Sequence, residues 1–134
     1  MTYKIKLLDR AREASNNAYC PYSCFPVGAA VLTHDDTIFT GCNIENISYS
    51  LCLCAERAAL GSAVSAGYRK FKAIAVTGKK AKPCNPCGAC LQFISEFGPI
   101  EIFLENESGE LISKTLNDFL PNAFETEVLK KAVN

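Results

Sequence analysis

Two short segments constrain this chain more than anything else in it. One is Pro86-Cys87-Gly88-Ala89-Cys90, two cysteines separated by two residues; the other is Cys54-Ala55-Glu56. Each stands where a helix is predicted to begin. Cys54 to Ala66 is rich in Ala, Leu and Glu and meets Gly67 as a stop, and Gly88 to Phe97 closes at Gly98-Pro99. When helices cover a sheet, two helix N-termini can converge on one point, each bringing unpaired N–H groups and a positive dipole end. Such a place stabilises thiolates. Zinc is the natural guest, because it accepts sulfur ligands in tetrahedral geometry.

The remaining elements follow from periodicity. Ile5, Leu8, Ala11, Arg12, Ser15 and Ala18, widened by Leu7 and Ala14, form an apolar stripe at helical spacing that ends before Cys20-Pro21. Val27 to Thr33 and Thr37 to Asn43 read as a hairpin around His34-Asp35-Asp36. Phe71 to Thr77 is a buried-type strand. Ile100 to Leu104 and Glu110 to Lys114 are short strands around Ser108-Gly109, followed by a helical stretch broken at Pro121 and a polar tail. The order α-β-β-α-β-α-β-β-α predicts an α/β fold, a three-layer α/β/α sandwich with a mixed five-stranded sheet, in a single domain over residues 1–134.

Charge narrows the partners. Lys plus Arg total 14 and Asp plus Glu total 14, for a net charge of zero. Nucleic-acid binding usually leaves a basic excess, so no nucleic-acid partner is expected. Nor is there a polybasic handle for anionic lipid or a run of ~18 apolar residues, so no membrane partner is expected. Lys4, Lys6, Asp9, Arg10 and Arg12 interrupt the first twelve residues, unlike a signal peptide. The expected compartment is the reducing cytoplasm, where clustered cysteines bind metal or do chemistry more often than they form disulfides.

Eight cysteines stand beside one histidine. Cys20, Cys24, Cys42 and Cys52 lie singly in apolar or strand-like contexts and read as small packing residues. Cys54, Cys87 and Cys90 supply three metal ligands. Three protein ligands leave a zinc position open for water, as catalysis requires, whereas a fourth would close the site. Cys84, three residues before Cys87, is the serious candidate for that fourth ligand; His34 reads as a solvated turn residue. Three thiolates and a divalent zinc sum to a net charge of −1, so positive compensation is needed. Arg57 is placed to supply it alongside the helix termini. Glu56 is suited to proton transfer beside metal-activated water. A non-catalytic zinc module or a thiol redox protein remains the competing class.

The chain resembles the short homotetrameric zinc-dependent cytidine deaminases. The resemblance runs from about Ala18 to Phe124. It rests on Cys20-Pro21-Tyr22-Ser23 with Phe25-Pro26-Val27-Gly28-Ala29-Ala30, on Gly41-Cys42-Asn43-Ile44-Glu45-Asn46, on Cys54-Ala55-Glu56-Arg57, and on Pro86-Cys87-Gly88-Ala89-Cys90 with Gln92 following. It implies one Zn2+ per subunit on Cys54, Cys87 and Cys90, with Glu56 shuttling protons as water attacks C4 of a free cytidine or deoxycytidine. Uridine or deoxyuridine and ammonia would result, within pyrimidine salvage. It further implies that Asn43 and Glu45 hold the ribose, Phe25 packs on the base and the Ala55 backbone meets the pyrimidine edge. Arg57 and Gln92 would support the ligands from behind. Tyr49 and Phe124 would reach across subunits of a homotetramer whose sites lie at interfaces. A deaminase of a modified cytosine nucleoside, such as a nucleoside antibiotic, is the near alternative. Three residues depart from the family pattern: Leu91 stands where Arg is usual, Cys24 stands before Phe25 where a polar or basic residue is frequent, and Cys84 is an extra thiol beside the motif.

Overall fold

The structure is a computed structural model that describes residues 2–133. Helix α1 (Thr2–Ser15) is followed by strands β1 (Val27–Thr33) and β2 (Ile38–Cys42), a 3-10 turn at Tyr49–Leu51, helix α2 (Ala55–Ser65) and strand β3 (Phe71–Gly78). Helix α3 (Gly88–Ser95), strands β4 (Glu101–Glu105) and β5 (Leu111–Thr115), and helices α4 (Leu116–Phe119) and α5 (Thr126–Val133) complete it. The five strands form one sheet in the order β2-β1-β3-β4-β5. Only β3 and β4 run parallel, with Ile74 beside Ile102; the other pairs are antiparallel. The sheet is therefore mixed, as expected.

Alternation along the central strands builds two cores. Ala30 and Leu32 of β1, Ala73 and Ala75 of β3, and Phe103 of β4 face α1 and meet Leu7, Leu8 and Ala11. Their neighbours Ala29, Val31, Ile74, Val76, Ile102 and Leu104 face the other way. They pack with Ala55, Ala59, Leu60 and Ala63 of α2 and Leu91 and Ile94 of α3. These are the three layers. Two glycines let the helices approach. A Cβ at Gly28 would lie 1.9 Å from the Ala11 carbonyl oxygen of α1, and one at Gly41 would lie 2.4 Å from the Ala59 nitrogen of α2.

Several local expectations are corrected. Ile5 is 52% exposed, so the buried face of α1 is centred on Leu7, Leu8, Ala11 and Ser15 instead. Helix α1 also ends at Ser15, and Ala18 lies in the following segment. The C-terminal tail is helical over Thr126–Val133. None of Cys20, Cys24, Cys42 and Cys52 is fully buried. Cys24 is exposed and has a φ of 55°, because it sits in a tight loop where its N–H bonds the Cys20 carbonyl at 2.9 Å.

Candidate metal centre and active site

The chemistry of the site starts with two helix caps. Cys54 is the N-cap of α2 and Cys87 the N-cap of α3, both in extended backbone conformation. An N-cap side chain usually turns back to accept from the first-turn N–H groups. Neither cysteine makes that bond, so both sulfurs are free to face outward from the helix ends. Cys90 lies one turn into α3 and is fully buried. Helices α2 and α3 share one face of the sheet. This brings the three sulfurs within 4.8 Å of one another.

Cys54 Sγ lies 3.8 Å from Cys87 Sγ. Two sulfurs each about 2.3 Å from a tetrahedral zinc stand about 3.8 Å apart, so this pair already has the spacing of a zinc edge. Among the described residues the cluster has three members, and Cys84 is not one of them. Cys84 instead packs against Gly78, where an added Cβ would meet its sulfur at 3.2 Å, and burial pushes its thiol up to about 11. Cys52 is also spent elsewhere: its sulfur accepts from the Asn46 N–H at 3.3 Å. His34 is exposed, tilted against the Tyr68 ring.

Charge is distributed unevenly over the cluster. The hydrogen bond with the Cys90 thiol, aided by Arg57 and Cys87, holds the Cys54 thiol down at about 5, while the Cys54 thiolate and burial push Cys90 upward. Arg57 Nη2 donates to Cys54 Sγ at 3.4 Å. Arg57 Nε is buried without a partner, a donor left over where a zinc tris-thiolate would add negative charge. Glu56, 4% exposed, accepts from Cys90 Sγ at 3.3 Å through Oε2. Its burial raises the carboxyl above the ordinary carboxylate range. The donor set, its spacing and the orphaned guanidinium nitrogen all fit a zinc ion.

The remaining expected residues take the following places. Ala55 opens α2 and is fully buried. Asn43 binds the loop before β1: its Oδ1 accepts from Val27 N at 2.9 Å and its Nδ2 donates to the Phe25 carbonyl at 2.8 Å. Glu45 accepts from the N–H groups of Tyr22 and Ser23 at 3.0 and 3.1 Å and from Ser23 Oγ at 2.5 Å, which lowers its pKa. Ser23 Oγ in turn accepts from Phe25 N at 3.1 Å. Sequence reasoning missed this role of Ser23, although a serine two residues before Phe25 is the signature of a side-chain turn. Gln92 Nε2 donates to the Phe124 carbonyl at 2.8 Å and its Oε1 accepts from Phe124 N at 3.2 Å. Gln92 thus fastens the C-terminal segment, and the structure shows no bond from it to the cysteines. Tyr49 packs edge-on against Tyr22, and Phe124 is 61% exposed. A cleft lined by Gln92, Pro99, Leu116, Leu120 and Phe124 among others includes none of the three cysteines.

Comparison with known proteins agrees with this geometry. The family model described as the cytidine and deoxycytidylate deaminase zinc-binding region matches residues 1–105. A cytidine deaminase of Sporosarcina psychrophila is 49% identical over 129 residues, covering 95% of each chain. The crystal structure of cytidine deaminase from Burkholderia pseudomallei superposes with a TM-score of 0.84 at 49% identity, covering 90% of this chain and 98% of that one. The cytidine deaminase structure from Mycobacterium tuberculosis gives 0.77 at 36% identity, covering 90% and 95%. The fold and the sulfur cluster define a zinc-binding deaminase. The chain belongs to the cytidine and deoxycytidylate deaminase family.

Proposed function

We propose that the protein is a cytidine deaminase that converts free cytidine and deoxycytidine, with water, to uridine or deoxyuridine and ammonia. The contact that carries this reading is Glu56 Oε2 at 3.3 Å from Cys90 Sγ, a buried carboxylate against the three-cysteine cluster. Zinc on Cys54, Cys87 and Cys90 supplies Lewis-acid activation of the attacking water. Glu56 does the proton work. Its Oε2 takes a proton from water as the oxygen adds to C4 and delivers it to ring N3; it then takes the proton of the new C4 hydroxyl and passes it to the amine, which leaves as ammonia while the C4 carbonyl forms. A carboxyl raised by burial suits a group that must both accept and donate near neutrality.

Substrate holding falls to the loop around Asn43 and Glu45. Asn43 Nδ2 has one N–H beyond that given to Phe25, and Glu45 has one acceptor site beyond the three in use. These two free valences suit a ribose hydroxyl, which both donates and accepts. Bound this way, the sugar lies beside Phe25, whose carbonyl Asn43 holds directly and whose N–H bonds Ser23, itself held by Glu45. The Ala55 backbone at the start of α2 faces the pyrimidine edge in this reading. A place in pyrimidine salvage fits a free nucleoside substrate, and a cytoplasmic setting fits eight cysteines without a disulfide.

The same reading includes a homotetramer with shared sites. Ile47, Tyr49 and Leu51 stand 80%, 70% and 68% exposed in one short loop, and Phe124 is also exposed. Apolar side chains gathered this way favour cover by another subunit. Light scattering at active concentrations is expected to give four chains, and a monomer with full activity overturns the shared site.

The deciding experiment follows the ultraviolet change from cytidine to uridine for wild type and Glu56→Gln, with zinc measured in both. Turnover in wild type and near-complete loss in the zinc-retaining variant is the expected result. A zinc-loaded wild type that deaminates no cytosine nucleoside overturns the reading.

A further inference from the structure

Glu105 ends β4 and is 1% exposed. A carboxylate buried this deeply needs charged or hydrogen-bonding partners. It draws them from three parts of the fold. Arg12 of α1 reaches Oε2 from Nε at 3.1 Å and Nη2 at 2.5 Å. Thr77 of β3 donates to Oε1. Lys82 Nζ lies 3.2 Å from the same Oε1. Despite its burial, these donors hold the carboxyl down at about 2.

Lys82 is the partner with a consequence for the metal. It lies in the connection 79–87 that leaves β3 and delivers Cys87 and Cys90 to the cluster. Lys79 N bonds the Pro26 carbonyl at 3.2 Å at the start of that connection. Among the described residues, 80–86 then make no backbone-to-backbone hydrogen bond. Lys79 Nζ also bonds Asn16 Oδ1; over 80–86 two side-chain tethers remain among the described residues, Cys84 packed on Gly78 and Lys82 on Glu105. Glu105 is a fixed post, because β4 lies in the sheet between β3 and β5.

We propose that Glu105 is a positioning residue for the metal centre: by gripping Lys82 it fixes the β3–α3 connection that carries Cys87 and Cys90 toward Cys54. The inference rests on zinc binding by the chain. A wild type that binds no zinc fails that assignment before any variant is compared.

The test uses full-length, zinc-loaded protein and measures zinc release to excess chelator alongside the melting temperature. Lys82→Met is expected to release zinc roughly tenfold faster, the low end of what loss of a supporting residue costs a metal site. Lys82→Arg, which keeps the charge on Glu105, is expected to restore slow release. Arg12→Met removes another partner of the same carboxylate from a helix that carries no metal ligand. It is expected to lower the melting temperature while keeping release near the wild-type rate. Release from Lys82→Met at the wild-type rate overturns the proposal. So does faster release from Arg12→Met that matches Lys82→Met at equal loss of melting temperature, or failure of Lys82→Arg to restore slow release.

Discussion

Arg57 Nη2 donates to Cys54 Sγ at 3.4 Å, and the side chain's own Nε is buried with nothing to bond. The guanidinium is thus committed to the sulfur cluster, and the contact keeps Arg57 firmly protonated. With Leu91 buried in the core between α3 and the sheet, Arg57 is the cation that bonds a cluster sulfur. Arg57→Gln removes the charge and is expected to weaken zinc binding about tenfold or more, measured by competition with a chelator. Arg57→Lys keeps a point charge but loses the planar fork, and is expected to fall between the two. Equal zinc affinity in all three proteins contradicts the role.

Gly41 is where β2 touches α2. A Cβ there would lie 2.4 Å from Ala59 N and 2.6 Å from the Ala55 carbonyl oxygen, both backbone atoms. Gly41→Ala must therefore move the helix that begins with Cys54, Ala55 and Glu56. A loss of about 1–3 kcal/mol or more is expected in denaturant unfolding, with deamination falling further than stability alone explains. Gly61→Ala is the control. It lies within the same helix with open space around it, so it is expected to stabilise by about 0.5–1 kcal/mol.

Glu105 makes stability depend on pH in a defined window. Its carboxyl is lowered from an ordinary 4.5 to about 2 in the folded chain. The stabilisation is present above the unfolded value and is lost as pH falls from about 5 towards 2. A shift of this size corresponds to at most about 3 kcal/mol. Unfolding measured between pH 5 and pH 3 is expected to weaken wild type more than Glu105→Gln, which has no carboxyl to protonate. Parallel pH profiles for the two proteins contradict the buried pair.

Much of this molecule was legible from residue order. The hairpin β1–β2, the buried strand β3 and the helix starts at Cys54 and Cys87 follow from local periodicity and stop signals, and the structure places them within a residue or two. The three-cysteine cluster was readable because two cysteine segments at helix starts favour a shared metal, and the structure brings their sulfurs together with Glu56 beside Cys90. Ile5 was misjudged because a stripe at helical spacing gives the helix's apolar face but not its rotation against the sheet. Gly28 settles that rotation by bringing Ala11 close. Cys20, Cys24 and Cys52 lie in loops, whose paths carry no periodicity, and Cys42 ends the edge strand β2, so none is fully buried.

The sequence by itself narrowed the zinc ligands to Cys54, Cys87 and Cys90 with Cys84 as a rival, and set Glu56 two residues from Cys54, since those are properties of residue type and short spacing. Tertiary structure alone decided that Cys54 and Cys87 stand 3.8 Å apart although 33 positions separate them. It also decided that Cys84 turns away to Gly78, and that Glu105 meets Arg12, Thr77 and Lys82 around one buried carboxylate. Each of these depends on the strand order β2-β1-β3-β4-β5 and on two helices sharing one face. Such meetings are set by how whole layers pack, which no short stretch of sequence encodes.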